Sequence, residues 1–179
     1  MLVMPHNFID RSSENILQLA QKKQFLRFSL EPKTAVMLPI EQVTEVLKLS
    51  LNKIVPIPQM PSWTMGIYNW RGEILWTVDL GDLLGLNTWQ EQQINRSYIT
   101  AIIISYPNSS KAKGLEKKSI GLIVKGVEDI EWCDPNSIKP VPPSAITPVL
   151  APFIQGHWLK PGGEMMLILD GDSIINSLN

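Results

Sequence analysis

Few side chains in this chain of 179 residues are spaced for covalent or proton-transfer chemistry. Two carboxylate pairs, Asp79 with Asp82 and Asp170 with Asp172, have the composition of an acid–base couple. Each pair also opens a helix-compatible apolar stretch. There the first carboxylate accepts hydrogen bonds from unpaired backbone amides and the second meets the positive end of the helix. Capping accounts for both pairs, so they are read as helix caps. With only His6 and His157 in the chain, a Ser-His-Asp or Cys-His relay has no local signature. The single Cys133 excludes an intrachain disulfide framework and a multi-cysteine zinc site. Asp170-Gly171-Asp172-Ser173-Ile174 lacks the oxygen ligand and the glycine of a calcium loop, and no glycine-rich phosphate loop occurs. The expectation is a protein without catalysis, cofactor or metal.

What remains is the chemistry of contact. Trp63, Trp70 and Trp76 fall within one short segment around Arg71, and an exposed aromatic beside an arginine is the composition of a protein-interaction hot spot. Strand alternation sets Trp70 on the side opposite Ile67 and Asn69, so at least one large aromatic is expected at a surface. The plain alternatives are core tryptophans, a solvated turn arginine and, at Glu45, a solvent-facing strand carboxylate.

The elements that must hold these residues are written twice. Val43-Thr44-Glu45-Val46 and Val127-Glu128-Asp129-Ile130 are each followed by an I-x-P-x-P segment, Ile54 to Pro58 and Ile138 to Pro142, at one spacing (54 − 43 = 11; 138 − 127 = 11). Each copy then reaches a glycine, Gly66 or Gly156, and closes with an apolar run into a capped helix at Asp79 or Asp170. Only the first copy carries Asn69-Trp70-Arg71-Gly72. Period-two patterning predicts a hairpin from Phe25–Leu30 and Ala35–Leu38, and strands at Thr44–Leu49, Gly66–Trp70 and Glu73–Val78, the last two joined by a tight turn at Arg71-Gly72. The second copy repeats this, with strands at Ser97–Ser105, Lys118–Lys125, Val127–Glu131, Phe153–Leu159 and Met165–Leu169 and a C-terminal helix. Without helical crossovers, many short strands between proline and glycine signals argue for a mostly β fold of two five-stranded barrel-like lobes. The copies should occupy equivalent positions. The lobe boundary falls near residue 90, with strand exchange between lobes allowed for. Residues 1–22 stand apart as an N-terminal extension, where Ser12 or Ser13 caps a short helix carrying Ile16, Leu19 and Ala20; residues 23–179 form the domain.

Hydrophobic content of 44% suffices for burial, and a formal net charge of −1 provides no field for nucleic acid or an acidic membrane. Lys111, Lys113, Lys117 and Lys118 read as a solvated loop. No run approaches the roughly 20 apolar residues of a membrane helix, and the start lacks a signal peptide, so the expected place is the cytoplasm, without membrane insertion.

Over residues 24–178 the chain resembles the CheW family of adaptors in bacterial chemosensory arrays. The resemblance is carried by Phe25 to Leu30, Ile40-x-x-Val43-x-Glu45-Val46, the Ile54 to Pro58 connector, Gly66-Ile67-x-Asn69-x-Arg71-Gly72 and Val78-Asp79-Leu80. In the second copy Gly121 to Val127 and Ile138-x-Pro140 carry it. It implies two SH3-like lobes and a non-catalytic adaptor that couples chemoreceptor cytoplasmic tips to a CheA-type histidine kinase, in a chemosensory, phototaxis or motility pathway at membrane-proximal arrays. It also implies a receptor-facing set of Ile40, Val43, Glu45, Asn69, Arg71 and Gly72, and a kinase-facing set of Gly126, Val127 and Ile130. Since Val127 and Ile130 are three apart, a bulge or twist near Gly126 is needed for both to face one partner. The chain departs from the family pattern at three places: Trp70 for leucine, Trp76-Thr77 for a proline–apolar pair, and Lys125 for aspartate. A second reading is a regulatory module binding a small molecule in a cleft near Trp63, Trp70 and Arg71.

Overall fold

The computed structural model describes residues 22–31, 34–86, 97–107 and 117–178. The Ile16-Leu19-Ala20 stripe, His6, Lys111, Lys113 and position 90 lie outside them. The first hairpin is β1 (Lys23–Glu31) and β2 (Thr34–Pro39). A helical turn at Ile40–Gln42 leads to β3 (Val43–Ser50), β4 (Thr64–Trp70), β5 (Glu73–Asp79) and α1 (Leu80–Leu83). The second series is β6 (Tyr98–Pro107), β7 (Lys117–Val124), β8 (Gly126–Cys133), β9 (Ile154–Leu159), β10 (Met165–Leu169) and α2 (Gly171–Ser177). Both helices start as expected. Asp79 accepts from the Asp82 amide, and Asp170 accepts from the amides of Asp172 and Ser173.

The strands form two five-stranded sheets, ordered β8-β1-β2-β10-β9 and β3-β6-β7-β5-β4. The orders correspond position by position. In each, the third and fourth strands are parallel and the other neighbours antiparallel. The strands of Val43 and Val127 are both outer edges. Each sheet takes a hairpin from one copy of the repeat and three strands from the other, so the chain changes sheet at Ile40–Gln42 and again at Lys125. Both sheets therefore contain strands from either side of position 90.

Because strand faces alternate, each sheet buries two sets of side chains. Leu26, Phe28, Leu30, Val36 and Leu38 of one sheet meet Val78, Ile102, Ile104, Ile120 and Leu122 of the other in a shared core. On the opposite faces, Phe25, Met37, Cys133, Trp158, Met166 and Ile168 fill one lobe, and Leu49, Ile54, Leu75, Ile99, Ala101, Ile103 and Ile123 fill the other. Trp63 packs on the shared core and Trp70 on the interior of the second lobe. The two tryptophans thus pack on different buried clusters.

The proline connectors curl each sheet shut. Val55 exchanges two backbone hydrogen bonds with Ile67 of β4, both 2.9 Å, and Lys139 does the same with His157 of β9 at 2.9 and 2.8 Å. The repeated glycine exists for this closure. A Cβ on Gly66 would lie 2.2 Å from the Val55 carbonyl oxygen, and one on Gly156 would lie 2.7 Å from that of Lys139.

Candidate functional site

The turn after β4 starts from the sequence Asn69-Trp70-Arg71-Gly72. Of the two-residue hairpin turns that match the twist of their strands, one type has positive φ at both central residues, and Arg71 (φ 56) and Gly72 (φ 84) have it. Arginine adopts this region at a cost. The Asn69 side-chain oxygen offsets part of it by accepting from the Gly72 amide at 3.0 Å.

This backbone lifts the Arg71 side chain to the lobe rim, where it is 68% exposed, and turns it toward Glu45 on β3. Arg71 Nη2 donates to Glu45 Oε2 at 2.7 Å, and the guanidinium carbon lies 5.0 Å from the centroid of the Trp70 ring. Glu45 belongs to one edge strand and Arg71 comes directly after the other, so the ion pair spans the seam where the sheet closes. Exposed pairs of this kind are worth about 0–1 kcal/mol, so this one orients the guanidinium more than it stabilises the fold. The other lobe has a seam at the same place, between Lys160 after β9 and Glu131 of β8. It is reinforced by Arg27, whose guanidinium reaches Glu128 at 2.6 Å, Glu164 at 2.8 Å and Glu131 at 3.5 Å. The hydrogen bond to Glu164, opposed by desolvation and aided by Glu128, raises the Arg27 pKa above its ordinary value.

The expected receptor-facing residues divide between two faces. Val43 pairs with Ile104 and Glu45 with Ile103, so Thr44 is an extra residue. This bulge sends Val43 to the shared-core side and Glu45 to the rim of the second lobe, where a regular strand would put both on one side. Ile40 and Val43 pack against the shared core; Glu45, Asn69, Arg71 and Gly72 gather at the rim.

An equivalent bulge shapes β8, at Glu128. Val127 pairs with Phe28, Asp129 with Arg27 and Ile130 with Leu26. Directly paired residues share a face, so Val127 and Ile130 lie together on the side of Leu26 and Phe28. The backbone adjustment that their spacing requires sits two residues after Gly126. Val127 is half-buried against the shared core, whereas Ile130 is 45% and Trp132 54% exposed. Trp132 is a surface residue that strand patterning alone did not single out. Its period-two spacing from Ile130 was the available signal. Among the described residues the most exposed tryptophans are Trp132 and Trp76, with Trp70 half-buried beneath Arg71.

Among the described residues no group of three or more His, Cys, Asp and Glu side chains is placed to hold a metal ion. No described helix is long and apolar enough to cross a membrane. The family model for the CheW-like domain matches residues 24–179. The crystal structure of scaffolding protein TtCheW from Thermoanaerobacter tengcongensis is similar at 30% identity. The match covers 83% of this chain and 89% of that one, with a TM-score of 0.65. No sequence among the curated proteins matches significantly.

Proposed function

Because the chain belongs to the CheW-like domain family, a family of signalling scaffolds, we propose that it is a non-catalytic cytoplasmic adaptor joining chemoreceptor tips to a CheA-type histidine kinase. The observation that carries this reading is the Arg71 guanidinium, exposed at a strained turn and held in place by Glu45. A planar group with several donors, fixed at a rim, suits carboxylates or carbonyls of a protein partner. Glu45, Asn69, Arg71 and Gly72 form the receptor-facing rim, with Ile40 and Val43 supporting it from the shared-core side. Gly126, Val127 and Ile130 form the kinase-facing edge, where Ile130 supplies the exposed apolar contact and Trp132 extends it. Residues 23–179 constitute the adaptor domain, and residues 1–22 are an extension to it.

The test uses titration calorimetry on the full chain against soluble receptor-tip fragments and the regulatory domain of the kinase. Arg71→Ala should weaken tip binding about tenfold, the range of a hot-spot arginine, with the melting temperature near wild type. Ile130→Asp should weaken kinase binding by a similar factor and leave tip binding intact. It is the cleaner probe of that edge, because a charge at half-buried Val127 would also disturb the shared core. Equal loss of both partners in either variant, or unchanged kinase binding by Ile130→Asp, rejects the assignment.

A further inference from the structure

The indole of Trp70 lies at the rim under Arg71. Trp70 is half-buried against the interior of the second lobe, so its ring is anchored from below, and its face lies 5.0 Å from the Arg71 guanidinium carbon. Glu45 holds one nitrogen of that guanidinium at 2.7 Å. An arginine on a free stem loses rotamer freedom when a partner fixes it. One already stacked on an anchored ring and tied at one edge has lost much of that freedom beforehand.

We propose that Trp70 is a positioning residue for partner recognition. It locks the Arg71 fork in its outward orientation, so that the rim meets a hydrogen-bond acceptor on the partner as a preformed donor. The inference rests on the assignment of Arg71 to the receptor-facing rim. The family pattern's leucine has no π face to offer a cation, so a chain with leucine here would present a looser arginine on the same turn.

Two measurements on the full chain separate this inference from the assignment it rests on. The first needs no partner: the NMR signal of the Arg71 side-chain Nε–H reports rotation of the guanidinium. Rotation should be slow in the wild type, markedly faster in Trp70→Leu and close to wild type in Trp70→Phe, which retains a π face. The second is a double-mutant cycle for binding to receptor-tip fragments. Trp70→Leu should weaken binding about two- to fivefold when Arg71 is present and have no further effect in an Arg71→Ala background. An unchanged Nε–H signal in Trp70→Leu, or binding losses that multiply independently, overturns the proposal. If Arg71→Ala binds every tip fragment as tightly as the wild type, the rim assignment fails, while the NMR comparison still decides whether Trp70 positions Arg71. Melting temperatures of all variants identify any loss due to unfolding.

Discussion

Cys133 lies at the end of β8, fully buried among Phe25, Met37, Trp158 and Met166, with its sulfur near the hydroxyl of Ser137. Burial raises its pKa, reinforced by the charge of Asp134 and partly countered by Ser137. A thiol with a folded pKa above its unfolded one keeps more protons in the folded state. Its contribution to stability is complete below the unfolded value and declines as pH rises through the folded one. Tyr106, raised by desolvation, acts in the same direction at higher pH. The urea midpoint should therefore hold near neutrality and fall from about pH 8.5 upward, and Cys133→Ala should have a shallower alkaline decline. The substitution itself should cost about 1–2 kcal/mol at pH 7 through the space it empties. Identical alkaline slopes in the two proteins would sink this account. The buried thiol should also react slowly with thiol reagents in the native protein.

Among the connectors and turns, Gly66 and Gly72 serve different purposes. At Gly66 (φ 138) an added Cβ meets backbone of the Val55–Pro56 connector, which cannot move without opening the lobe. At Gly72 (φ 84) it meets nothing within 4 Å, leaving only the conformational cost. Gly66→Ala should destabilise by about 3 kcal/mol or more and Gly72→Ala by about 1 kcal/mol, as measured by chemical denaturation. Comparable losses would show that the connector yields. The repeated glycine was legible in sequence because its steric need recurs at the same place in both copies, as do the Asp79 and Asp170 caps. The tight turn at Arg71-Gly72 was legible for a similar local reason. The division of Val43 from Glu45 was not. A single extra residue at Thr44 reverses the facing of every later residue in β3 without altering the composition of the strand. The contact of Arg71 with Glu45 depends on closure of the lobe, and no periodicity along the chain records it.

The shared core makes the two lobes one unit, since neither sheet can separate without exposing Leu26, Phe28 and Leu38 on one side and Ile102, Ile104 and Leu122 on the other. Unfolding should be a single transition, coincident by far-ultraviolet circular dichroism and tryptophan fluorescence; two resolved transitions would contradict it. Sequence reading allowed for strand exchange between the lobes but did not show which strands exchange, because pairing between distant strands is fixed by packing that local pattern does not encode. It also governs the order of assembly during synthesis. β1 emerges early, with Phe25 needing cover on one face and Leu26 and Phe28 on the other, yet its neighbour β8 begins 103 residues later (126 − 23 = 103). At about 5–20 residues per second a ribosome takes roughly 5–20 s to supply it. Through that interval the Phe25 and Met37 face of the hairpin lacks the cover that β8 to β10 supply, and it is a client for chaperones and a site for wrong pairing between neighbouring nascent chains. The lobe that the chain begins is thus the one it finishes last, and a prematurely terminated product carries an open hairpin beside an otherwise completed second sheet.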